Sequence, residues 1–156
     1  MTAIVCRSPE DMNQSKPAVE NLPVLRAFGQ EARILISSEH TGNAFCLMRF
    51  YAVPATPGAS HSHQNEDETF IIEAGELEVN RGGEVVRGKA GDVIYLPKQI
   101  PHAPKILGSE PLQALVLCVP GGFDRFFADC AEAWKNPEPD MRQFEKIAAK
   151  YGIQFL

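Results

Sequence analysis

The chain has 156 residues, 44% of them hydrophobic and 22% charged, the balance of a globular protein rather than a disordered or fibrous one. That length allows one compact domain and is too short for two ordinary ones. A formal net charge of −5, with no local cluster of Lys or Arg, argues against a nucleic-acid or anionic-membrane partner.

Met1 to Ser8 carries no signal-peptide pattern, and no stretch approaches the roughly 18 apolar residues that a membrane span requires. A cytoplasmic protein is therefore expected. Cys6, Cys46, Cys118 and Cys130 lack CxxC spacing. Cys46 and Cys118 lie inside apolar, strand-like runs, which predicts buried free thiols and argues against a zinc site built from cysteine.

In chain order, residues 1–31 read as an irregular N-terminal arm holding Pro9, Pro17 and Pro23, with Leu22 to Leu25 as an apolar segment able to pack on the body or across a partner. Strand patterns begin at Ala32. Glu39 to Asn43 is a turn, and Ala44 to Val53 is a long apolar strand ended by Pro54 and Pro57. Glu68, Phe70 and Ile72 alternate on one strand face. Leu77 and Val79 lead to Arg81-Gly82-Gly83, a hairpin signal. Val93 to Leu96 is a short strand. Pro97, Pro101 and Pro104 bracket His102 in what reads as an edge-like segment. Leu112 to Val119 reads as a central strand.

Beyond Pro120-Gly121-Gly122, Phe123, Phe126, Phe127, Cys130 and Trp134 recur at helical spacing. Asp140 is placed to cap a second helix, with Phe144, Ile147, Ala148 and Tyr151 as its apolar stripe. Gly152-Ile153 reads as its left-handed cap and hydrophobic latch. About eight or more strands followed by two helices predict an all-β sandwich or barrel with a helical C-terminal cap.

Chemistry concentrates in two blocks: His61-Ser62-His63-Gln64-Asn65-Glu66-Asp67-Glu68, and Gly91 to Pro97 followed by His102. Strand alternation puts His61 and His63 on one face about 6.6 Å apart, a span two imidazoles can close around one ion. A carboxylate from the first block and His102 from another strand would complete a site of three nitrogens and one oxygen. Glu66, Asp67 and Glu68 compete for the acid. Glu68 ranks first because it precedes an apolar run, whereas Glu66 and Asp67 read as solvated loop charges. His40, in a polar turn, is assigned no role.

These blocks resemble the two motifs of the cupin family. His61-x-His63, four residues, Glu68, six residues and Gly75 match the first motif, although its opening glycine is displaced: Gly58 stands close to His61 and Ala55 occupies the usual place. Gly91, Pro97 and His102 match the second, with Gln99 and Ile106 replacing its glycine and asparagine. The Glu68-Thr69-Phe70 start and the tail Pro120 to Phe127 are similar to small single-domain cupins described as quercetin-dioxygenase-like. The resemblance implies a double-stranded β-helix, or jelly-roll, barrel over residues 32–120, with 121–156 as a helical extension packed on it. It also implies His61, His63, Glu68 and His102 as ligands of one divalent transition metal: Fe, Mn, Ni, Cu or Zn.

On an octahedral ion four protein ligands leave two positions open, which suits a substrate oxygen together with dioxygen. The expected activity is a metal-dependent dioxygenase acting on a small enolic, phenolic or hydroxy-keto substrate, with Glu68 as base. The alternatives are an isomerase or lyase of a keto-acid or sugar, and a non-enzymatic ligand-binding or sensor protein. A homodimer is expected, since sheet edges need covering.

Overall fold

The computed structural model describes residues 18–54, 56 and 58–156. Cys6, Pro9 and Pro17 lie outside the described residues, as does Ala55.

Eleven strands and two helices are present among them. After a short 3-10 turn at Val19–Asn21 come β1 (Leu25–Ala27), β2 (Gln30–Ile36), β3 (Cys46–Ala52), β4 (His61–His63), β5 (Asp67–Ala74), β6 (Glu76–Arg81), β7 (Glu84–Lys89), β8 (Val93–Leu96), β9 (His102–Leu107) and β10 (Leu112–Val119). Then follow α1 (Phe123–Ala133), α2 (Met141–Lys150) and β11 (Ile153–Phe155). No helix among the described residues is long and apolar enough to cross a membrane.

The strands form two antiparallel sheets with the orders β1-β2-β3-β10-β5-β8 and β11-β4-β9-β6-β7. This corrects the expected barrel. Among the described residues each sheet ends in a strand with no onward partner (β1 and β8 in one, β11 and β7 in the other), so neither closes on itself. Closure requires a continuous ladder around the molecule. Here three of the four terminal strands are only three or four residues long, and side chains between the two open sheets join them instead. The architecture is a two-sheet jelly roll with C-terminal helices.

Alternation decides which side chains enter the core. In β3, Cys46, Met48, Phe50 and Ala52 are buried, and in β10 Leu112, Ala114, Val116 and Cys118 are. β10 runs between β3 and β5, in keeping with its apolar sequence. Leu77, Val79, Ile72 and Ile94 fill one end of the space between the sheets. Phe126, Phe127 and Cys130 of α1 and Phe144 and Ala148 of α2 fill the other. Gly82 and Gly83, at φ 58° and 92°, supply the left-handed pair that the β6–β7 hairpin requires. Asp140 caps α2 by accepting the Arg142 N–H at 3.0 Å. The buried Asp124 accepts hydrogen bonds from the backbone N–H and the hydroxyl of Ser38, tying the start of α1 to the turn after β2.

Two local expectations change. β9 is an interior strand, between β4 and β6, rather than an edge. It accommodates Pro104 because β4 pairs with it only at His61↔His102, leaving most of β9 with a strand neighbour on one side. Gly152 does take the left-handed conformation at φ 70°. Ile153, however, opens β11, which pairs with β4 in the register Ile153↔His63 and Phe155↔His61.

Candidate metal centre

β4 sits between β11 and β9, so the strand carrying His61 and His63 is flanked by the C-terminus on one side and His102 on the other. Glu68 comes from β5 in the facing sheet. The four residues meet in the space between the sheets. One ligand atom from each of His61, His63, Glu68 and His102 lies within 4.8 Å of all the others. His63, Glu68 and His102 are buried, and His61 is half-buried at the cavity side.

The pattern of hydrogen bonds shows what the cluster lacks. His61 Nδ1 lies 2.8 Å from the Ala59 carbonyl, and His102 Nδ1 lies 3.2 Å from the Ile100 carbonyl. A carbonyl only accepts, so each Nδ1 carries the proton and each Nε2 presents a lone pair. The two Nε2 atoms face each other at 3.1 Å, and Glu68 Oε2 is 3.1 Å from His102 Nε2 and 3.8 Å from His63 Nε2. Glu68 Oε2 and both ring nitrogens of His63 have no hydrogen-bond partner. Buried acceptors without donors cost about 1–3 kcal/mol each. A cation among them would take the Glu68 oxygen and one nitrogen from each ring, leaving the other His63 nitrogen to face Glu66. The residues therefore fit one divalent ion held by three nitrogens and one oxygen.

The electrostatics are those of a ligand set. Burial pulls His61 down to about 4, reinforced by repulsion from His102, so its ring is neutral near pH 7. Burial lowers His63 as well. Burial pushes the Glu68 carboxyl up, but the facing His102, His63 and His61 rings outweigh it and hold it below the usual range. Cys118 stands in register with Glu68 on one side and with Cys46 on the other. Burial raises its thiol well above the ordinary value, assisted by the Cys46 contact and the Glu68 charge. Cys46, Cys118 and Cys130 are free and buried.

Sequence reasoning missed the environment of Glu66. It is 2% exposed rather than solvated, with Oε2 4.0 Å from His63 Nδ1 and otherwise unpartnered. Burial, with a contribution from Glu68, raises it to about 7. Asp67 instead accepts the Lys98 N–H at 2.9 Å outside the cluster. His40 is exposed and contacts the Ser37 hydroxyl through Nδ1 at 2.8 Å. Also missed was the aromatic packing behind the imidazoles. Phe123 of α1 lies 5.2 Å from the His63 ring, and Phe155 of β11 lies 6.4 Å from the His61 ring. The apolar alternation of Ile153-Gln154-Phe155 was the available signal.

From His61 and Glu68 a cavity of about 470 Å³ extends between the sheets. Phe50, Phe70, Val116, Phe123 and Phe127 form part of its wall, and Phe28, Thr56 and Met141 also line it.

Comparison with known proteins agrees with this geometry. Residues 49–119 match the cupin domain family. No curated protein matches the sequence. A predicted oxalate decarboxylase from Thermotoga maritima superposes with a TM-score of 0.61 at 24% identity, over 65% of this chain and 96% of that one. An uncharacterized protein with a double-stranded β-helix domain from Klebsiella pneumoniae gives 0.58 at 22% identity, over 74% and 91%. An RmlC-like cupin from Shewanella frigidimarina gives 0.58 at 17%, over 68% and 90%. At such identities the likeness shows the fold alone. The strands that carry the four ligand candidates lie within the segment similar to the cupin domain family, and the solved structures share their fold.

Proposed function

We propose that the chain is a metal-dependent dioxygenase that binds one transition-metal ion through His61, His63, Glu68 and His102 and acts on a small enolic, phenolic or hydroxy-keto compound. The observation carrying this reading is the convergence of unpaired acceptors at the inner end of an apolar cavity. A purely structural site would have no need of the cavity.

A divalent ion held there would polarise a substrate oxygen and, for a redox-active metal, open the chemistry to dioxygen. The protein's own groups divide the remaining work. Glu68, ionised, would be the base that receives the substrate hydroxyl proton as its own bond to the ion loosens. His61 and His102 keep their lone pairs turned inward because the Ala59 and Ile100 carbonyls hold the opposite nitrogens. Phe50, Phe123 and Phe127 exclude water from the reacting end.

The test is oxygen uptake by protein loaded separately with Fe, Mn, Ni, Cu and Zn, screened against flavonols, catechols and diketones. Uptake stoichiometric with substrate loss supports the reading, and none with any metal contradicts it. Glu68→Gln should lower turnover by roughly 10²–10⁴-fold while the strands remain folded. An unchanged rate and pH profile would remove Glu68 as the base.

A further inference from the structure

Among the described residues, the cavity wall holds no Lys or Arg. Among its described lining residues only Gln30, Thr56, His61, Glu68 and the indole N–H of Trp134 offer polar groups, and the Thr56 hydroxyl is already bonded to the Val53 carbonyl at 2.7 Å. Arg49, although on the wall strand β3, pairs with Glu73 at 2.8 Å and is absent from the lining. Its neighbour Phe50 is the residue that turns inward.

Charge counting then limits the ligand. A divalent ion with three neutral imidazoles and one carboxylate carries a single net positive charge, which cancels one anionic oxygen. A second negative charge held inside the cavity, away from its exposed Met141 end, would lie against Phe, Val and Leu side chains, and burying an unpaired carboxylate is heavily penalised.

Size limits it from the other direction. About 470 Å³ falls in the range that encloses drug-sized molecules, so a two-carbon acid would leave most of the wall unfilled. The wall also suits rings. Phe50 and Phe127 meet edge to face with centroids 5.0 Å apart, and Phe123 stands 6.2 Å from Phe50, so ring faces and edges line the route to the cluster.

Building on the metal-centre reading, we propose that the cavity selects a mono-acidic compound of two or three rings, uncharged except for the one oxygen it presents to the cluster. Dicarboxylates, phosphate esters and ring compounds bearing a distal carboxylate are rejected.

The experiment is calorimetric binding to the zinc-loaded protein without oxygen, so that no turnover intervenes. Three probes are compared: an acyl-naphthol with adjacent hydroxyl and ketone oxygens, the same compound with a carboxylate on its far ring, and oxalate. The neutral acyl-naphthol should bind best. Its carboxylate analogue should bind on the order of thirtyfold more weakly, because its second charge is unpaired. Met141→Lys places a cation at an exposed position of the lining without disturbing the core, and should narrow that gap. Equal binding of the two ring compounds by the unaltered protein, tighter binding of oxalate, or no binding of either ring compound overturns the proposal. Selective binding of the neutral compound supports it even if the active-metal protein consumes no oxygen, an outcome that counts against the dioxygenase reading alone.

Discussion

Glu66 is 2% exposed beside His63, and its ionised form is disfavoured there, chiefly by burial. Its folded pKa of about 7 lies above the ordinary 4.5. The neutral carboxyl's contribution to stability is therefore complete below 4.5 and is lost as pH rises through about 7. Glu66→Gln stays neutral throughout. Denaturant titration of the metal-free variant should show a gain on the order of 1–3 kcal/mol over the parent near pH 8, shrinking to nothing near pH 4.5. A gain independent of pH would show that proton linkage is not its source. Gln99 makes a different point. It stands where the cupin motif has glycine, and it keeps the left-handed conformation at φ 66°, donating its N–H to the His63 carbonyl at 2.7 Å. A β-branched residue tolerates that region least. Gln99→Val should lower stability by about 1–2 kcal/mol, and Gln99→Gly should be neutral or stabilising. Equal melting temperatures for the two variants would contradict the backbone explanation.

At the scale of elements, the strands that bury one face were legible because alternation records burial directly. β3 and β10 are nearly continuous apolar runs whose buried residues fall at every second position, and in β5 Glu68 shares a face with Phe70 and Ile72. The His61–His63 pair was legible for the same reason. β11 was not, since three residues after a helix cap carry too little pattern to separate a latch from a strand. Glu66 was not, because it lies beside Gly122 at the start of α1, which is distant in sequence. Sheet closure was hidden too, being a property of how edge strands pair rather than of any segment's composition. β11 supports β4 residue for residue, and Ile153 is buried. Ending the chain at Gly152 should leave the two sheets folded but lower metal affinity at least about tenfold, as expected when support behind ligands is lost. Unchanged affinity by competitive chelation would show that β9 alone positions the histidines.

For the whole molecule, the open edges have consequences beyond the site. β7 and β8 expose Val85, Val93 and Tyr95 at 55%, 61% and 48%, an apolar strip beside unpaired strand edges. We expect a homodimer that covers such edges, and light scattering at micromolar concentration should give twice the 17.2 kDa chain mass. A monomer would contradict this without touching the metal centre. The most direct test of the centre is elemental analysis of the purified protein beside its His61→Ala/His63→Ala variant, with circular dichroism confirming that the strands of both are intact. The parent should carry about one first-row transition-metal ion per chain and the variant essentially none. Full metal occupancy in the folded variant would contradict the assignment of the site.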